Sequence, residues 1–185
     1  MTIEDRRGFS LIEVMVAVSL LALGVSAVAQ LALASARAQR AASDATLVQV
    51  LAGARLEQLR GLAWTSDAGI VPISDWSTDL SLTPASPAGG PGLGVSPAGA
   101  LLSNIDGYCD FLDARGTWLA GGTRPPVGTA WIRRWSIDLP GSLSDTLRLQ
   151  VLVVPLERAA ADRVVAAAST MNGAWLVALR SRRMR

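Results

Sequence analysis

Arg6-Arg7-Gly8-Phe9-Ser10-Leu11-Ile12-Glu13-Val14 opens into an apolar run in which no charge follows Glu13 until Arg37. From Val14 to Leu33 the residues are Ala, Leu, Val and one Met, interrupted by Ser19, Gly24, Ser26 and Gln30. At a rise of 1.5 Å per residue, about 20 such residues cross the ~30 Å hydrocarbon core of a bilayer. Gly24 and the serines equally let neighbouring helices approach closely. Glu13 stands at the mouth of this run, flanked by Ile12 and Val14. A carboxylate near the centre of a membrane helix costs roughly 2.5–3.5 kcal/mol, so Glu13 is expected to have a function and a partner.

The helical pattern continues past the point where a membrane would end. Ala34 to Leu62 contains no Pro, and its only glycines are Gly53 and Gly61. Ala45, Val48, Ala52, Leu56, Leu59 and Ala63 recur at spacings of three and four, while Arg40, Asp44, Gln49, Glu57 and Arg60 fall largely off that stripe. Gly61 is a plausible stop signal. The pattern predicts one helix from Phe9 to about Leu62, roughly 54 residues and ~80 Å long, apolar over 9–34 and amphipathic over 35–63. A break near Ser35 is the alternative.

Composition narrows the function. The 185 residues are half apolar with a formal charge of +2, and the mean hydropathy is +0.35. One hydrophobic segment and one soluble body account for both. All 17 basic residues are Arg, and they are dispersed except at the C-terminus, so no nucleic-acid contact is indicated. There is no His, which removes the commonest general base and metal ligand. Cys109 is the only cysteine, which excludes an intrachain disulfide and a cysteine-based zinc site. It is expected to be a buried structural thiol. A P-loop, a G-x-S-x-G elbow and an H-E-x-x-H pair are all missing from the sequence, so neither an enzyme nor a cofactor is expected.

Residues 64–128 lose periodicity and read as a loop-rich region, with a Pro/Gly-rich loop over 84–99. Within it, Asp106, Asp110 and Asp113 are weak candidates for a cation site. Their spacing is not that of a calcium loop, and a solvated acidic turn is the expected arrangement. Beyond Gly128 the period becomes two, and 129–185 is expected to form an antiparallel sheet. Trp131, Trp135, Ile137 and Leu139 alternate with Ile132, Arg134, Ser136 and Asp138; Leu147, Leu149, Val151 and Val153 alternate with Arg148 and Gln150. In the third strand Trp175, Val177 and Leu179 alternate with Leu176, Ala178, Arg180 and Arg182. These are three half-buried strands with a turn at Pro140-Gly141-Ser142, and the Ala45–Ala63 stripe is their natural cover. Arg133 breaks the alternation, so its face is partly open or it pairs with a carboxylate. The tail from Arg180 to Arg185 is expected to be a solvated strand end. The fold class is therefore α+β: one long N-terminal helix on a C-terminal antiparallel sheet of at least three strands.

Gly8-Phe9-Ser10-Leu11-Ile12-Glu13-Val14 resembles the G-F-[ST]-L-x-E-x prepilin signature of type IV pilins and type II secretion pseudopilins. The motif covers under a tenth of the chain, although the short charged leader, the long helix and the sheet fit the same family. The resemblance implies a leader of residues 1–8 carrying Arg6 and Arg7, cleavage between Gly8 and Phe9 by a prepilin peptidase, and N-methylation of Phe9. It further implies that the new amine of Phe9 pairs with Glu13 of a neighbouring subunit in the filament. Other major and minor pilins, inner-membrane lipid before assembly and an inner-membrane assembly platform are the implied partners. The implied location is a single inner-membrane pass, N-terminus cytoplasmic and C-terminal domain periplasmic, and then the filament. Leu56–Leu62 and the Trp131–Ile137 strand look most like a minor pilin of the PilV (pilus modification) type, with a minor type II secretion pseudopilin as the alternative. The single Cys departs from major pilins, which commonly close a C-terminal loop with a disulfide. A membrane-anchored periplasmic binding module or enzyme is the remaining alternative.

Overall fold

The computed structural model describes residues 10–67, 71–141, 145–159 and 173–184. Arg6, Arg7, Gly8 and Phe9 lie outside the described residues, as do Ser142 of the expected turn and Arg185. The chain divides into two compact units, one ending at Ala42 and one running from Ser43.

Helix α1 spans Leu11–Gly61 without interruption at Ser35. Every side chain from Leu11 to Arg40 is exposed. The helix ends at Gly61, where the low helix propensity of glycine and the exit into strand favour a stop.

In the second unit, α1 buries Val48, Leu51, Ala52, Leu56 and Leu59 on one face. Ala45 of the expected stripe is half-buried, and Ala63 is exposed because the helix has already ended. Arg55 is buried on the same face, which the stripe did not anticipate.

Strands β1 (Trp64–Asp67), β2 (Val71–Ser74), β3 (Cys109–Leu112) and β4 (Trp118–Gly121) come first in the chain. They are followed by β5 (Trp131–Asp138), β6 (Thr146–Pro155), β7 (Ala174–Ser181) and β8 (Arg183–Met184). The main sheet has five strands in the order β4-β3-β5-β6-β7, every pair antiparallel. A small sheet, β2-β1-β8, holds the strand that follows the helix against the end of the chain. The stretch expected to be loop-rich thus contains four strands. Each is four residues long, too short for an alternation to stand out from its surroundings. The segment between β2 and β3 does stay irregular, and it inserts Leu80, Leu93 and Ala100 into the core. Gly92 makes one of its tight approaches at φ +52°, where a Cβ would lie 2.5 Å from the Asp75 carbonyl oxygen.

One face of the main sheet carries Trp131, Trp135, Ile137, Leu147, Leu149, Val151 and Val153 against the helix stripe, in a single apolar cluster. The opposite face is covered over part of its width, so β5 and the second half of β6 are buried on both sides, while β7 and the first half of β6 are half-buried as expected. Cys109, Phe111, Ile132, Leu152 and Val154 form a second cluster there, covered by Leu101, Ala120 and Ala159. Strand β7 turns the other way from the expected one. Ala174, Leu176 and Ala178 face the helix-side core, while Trp175, Val177 and Leu179 are 49%, 53% and 65% exposed. Alanine at 174 and 178 takes little space, which suits the face on which the helix must fit.

Candidate functional site

Two groups of residues stand out, one in each unit. In the first, Ser10 immediately precedes the helix, and its carbonyl oxygen accepts the Glu13 N–H at 3.0 Å and the Val14 N–H at 3.2 Å. Ser10-x-x-Glu13 has the spacing of a capping box, a signal in the sequence that marks this helix start. Glu13 lies in the first turn, where negative charge favours the exposed N–H groups of the helix. Its side chain is exposed, which leaves the carboxylate accessible beyond these roles at the helix start.

Behind Glu13 the large apolar side chains from Leu11 to Leu33 are between 49% and 81% exposed. The best 18-residue window has a mean hydropathy of 2.4 and none of it is buried, so by length and composition this helix can cross a membrane. A continuous apolar surface of this extent marks a lipid- or protein-contacting site. Its hydroxyls are already satisfied: Ser19 Oγ donates to the Met15 carbonyl and Ser26 Oγ to the Leu23 carbonyl, both at 2.8 Å. Such internal bonding removes the cost of an unpaired hydroxyl in an apolar surrounding.

In the second unit, Asp110 on β3 is fully buried. Arg133 stands directly opposite on β5 and donates from Nε to Oδ1 at 3.0 Å and from Nη2 to Oδ2 at 2.6 Å. Its Nη1 reaches the Leu51 carbonyl of the helix at 3.2 Å. Arg55 comes down from the helix, donating from Nη2 to the same Oδ2 at 2.5 Å and from Nη1 to the Leu80 carbonyl. Its guanidinium lies 4.4 Å from the centre of the Trp135 ring, a cation–π contact in a dry setting. Burial pulls the Arg55 guanidinium down to about 10, with Asp110 working against that shift. One carboxylate thereby ties together the helix, two strands and the long loop. This resolves Arg133: it pairs with a carboxylate, and its face is closed.

The other arginines at the end of the sheet also pack. Arg180 donates to the Leu59 and Leu62 carbonyls at 3.1 and 2.6 Å, satisfying acceptors that a helix end leaves open. Arg182 stacks 3.7 Å over Trp64 and bonds the Thr65 carbonyl at 2.8 Å. The expectation of a solvated tail is therefore corrected for these two residues.

The three acidic candidates are not brought together. Asp110 is consumed by the arginines. Asp113 accepts the Arg115 and Thr117 N–H groups, both at 2.8 Å, in the β3–β4 turn. Asp106 is exposed in the turn before β3. Among the described residues no three His, Cys, Asp or Glu side chains form a metal-holding group. The solvated acidic turn is corrected as well, since Asp110 faces the interior. Cys109 is buried, with its thiol 2.8 Å from the Gly122 carbonyl, and burial pushes it up to about 12. That is the inert thiol expected from the sequence.

Comparison with known proteins bears on the first unit. Residues 5–29 match the family model of the prokaryotic N-terminal methylation motif. The matched span takes in Arg6, Arg7, Gly8, Phe9 and Glu13, and it supports a place in the pilin and pseudopilin superfamily. No curated protein and no solved structure matches the chain. The motif and the apolar helix fit an anchored protein of the inner membrane, and the helix-on-sheet arrangement of the second unit is pilin-like.

Proposed function

We propose that this chain is a structural minor subunit of a type IV pilus. It is exported as a prepilin, cleaved by a prepilin peptidase between Gly8 and Phe9 and methylated on Phe9. It then enters or primes the filament through its N-terminal helix. Residues 1–8 are the leader, 9–34 the membrane and assembly half of the helix, and 35–63 the half that mounts the globular part. Before assembly the helix sits in inner-membrane lipid with the globular part in the periplasm. The inner-membrane assembly platform then passes it to the other pilins.

The observation that carries this reading is the methylation motif over residues 5–29, which takes in the start of a helix whose apolar first half is exposed. Processing gives Glu13 a partner, a cationic amine at Phe9 of a neighbouring subunit. In a low-dielectric helix bundle, a register that leaves either ion alone is penalised by about 3–5 kcal/mol. Glu13 therefore sets register more than it adds stability. Nothing in this scheme requires catalysis by the subunit, whose role is to be cut, packed and held.

Glu13→Ala and Glu13→Val test the pairing. Both variants are expected to be cleaved to nearly the wild-type extent yet to be depleted from sheared filaments at least several-fold, as measured by immunoblot. Incorporation of either variant at the wild-type level would refute the pairing.

A further inference from the structure

On the outer face of the main sheet, between that face and the loop 96–102, lies a cleft of about 310 Å³. Ser96 pins its far wall to β5: the Ser96 N–H donates to the Ile137 carbonyl at 2.9 Å, and Ser96 Oγ accepts the Ile137 N–H at 3.0 Å. Across the sheet side, register sets Asp138 beside Arg148 and Ser136 beside Gln150, and Leu152 beside Trp175. The floor is thus two-part, a polar row next to an apolar pair that includes a half-exposed indole.

The polar row is preorganised and only partly used. Gln150 Nε2 donates to Ser136 Oγ at 3.2 Å and to Asp138 Oδ2 at 3.0 Å. Arg148 donates to the same Oδ2 from Nε and Nη2, both at 3.3 Å. Among the described residues Asp138 Oδ1, Gln150 Oε1 and Arg148 Nη1 form no hydrogen bond, which leaves two acceptors and a donor unused on residues that line the cleft. Asp138 and Arg148 cancel in charge, so the cleft has no preference for an anion or a cation. A ligand suited to it is neutral, offers both donors and acceptors along one edge, and presents an apolar face to an indole. A sugar ring has that division: hydroxyls around its edge and C–H groups on its face. The volume sits at the lower end of ligand clefts, room for a ring or a short saccharide.

We infer that this cleft is a saccharide-binding site, with Trp175 stacking on one ring, Gln150 bonding its hydroxyls, and Asp138 and Arg148, further along the strands, bonding those of an adjoining ring. The inference is independent of the filament role. The test uses the full chain in a detergent without glycosidic headgroups. It is titrated with glucose, galactose, N-acetylglucosamine, cellobiose and lactose, and followed by saturation-transfer NMR and tryptophan fluorescence. At least one sugar is expected to bind with a dissociation constant on the order of 1 mM or tighter. Trp175→Ala and Gln150→Ala should each weaken it by about tenfold or more, while Trp76→Ala, on another exposed indole, should leave it unchanged. Unaltered far-UV circular dichroism of each variant confirms the fold. Absence of binding by every sugar in the panel overturns the inference. So does binding that survives both cleft variants. Variants that lose association with other pilins while no sugar binds would make the cleft a protein-docking surface and overturn it equally.

Discussion

Asp110 and Arg133 sit directly across from each other on adjacent strands, and carboxylate and guanidinium meet through two parallel bonds of 3.0 and 2.6 Å. A fork-to-fork pair of this kind fixes orientation as well as distance. Arg55 adds a second cation to the same carboxylate, so Asp110 is the member that neither arginine can lose.

Removing the shared carboxylate strands two buried guanidinium groups, whereas removing Arg55 leaves one matched pair. Asp110→Asn is therefore expected to destabilise the globular part by about 3–5 kcal/mol. Arg55→Met should cost less, about 1–3 kcal/mol, most of it from the Leu80 carbonyl left without its donor. Urea unfolding followed by tryptophan fluorescence measures both. Equal losses in the two variants would show that Asp110 is not the centre of the cluster.

Cys109 is expected to resist alkylation. Its thiol is pushed from 9.0 to about 12 by burial, and the thiolate is the reactive form. Iodoacetamide at pH 8.5 should modify the unfolded chain at least a hundredfold faster than the folded one. The same shift sets a pH dependence. Below pH 9 both states keep the proton; between 9 and 12 the unfolded chain loses it first, so this contribution to stability is lost as pH rises through that window. Cys109→Ala should flatten the alkaline limb of a melting-temperature profile.

On the acid side the exposed turn at Asp113 is the sensitive element. Hydrogen bonds from the Thr117 and Arg115 N–H groups hold its carboxyl below 3.8. In Asp75 the bonds from Thr78 and Ser77 outweigh a burial effect of opposite sign, and its carboxyl too lies below 3.8. A carboxylate with a depressed value supports the fold above its unfolded value and loses that support as pH falls through its folded value. Stability should accordingly be flat in this respect from pH 7 to 5 and fall below pH 4. Asp75→Asn with Asp113→Asn should make the fall shallower in acid-titration circular dichroism.

Much of this architecture is written in local patterns. The alternations over 129–139, 147–154 and 174–182 correspond to β5, β6 and β7, and Gly61 ends the helix. The rest depends on long-range partners. Trp175 and Ala174 head two rows that are both apolar, and period two alone does not say which row meets the helix; the small alanines decide it through packing. Arg55 looks like any charged helix residue until Asp110, 55 positions away, is placed beneath it. Asp110 in turn reads as one of three similar acids in a turn, because strands of four residues leave no periodic trace. At the candidate site the reverse holds. The proposed roles of Gly8, Phe9 and Glu13 are read from the sequence, because a motif of adjacent residues is local. Trp175, Asp138 and Gln150 become neighbours only through strand register.

The mature N-terminus tests the central claim most directly. Intact-mass and peptide mass spectrometry of the protein purified from membranes or filaments should give a chain that begins at N-methyl-Phe9 and lacks residues 1–8. A chain that retains Met1, or one cut after the apolar run, would contradict it.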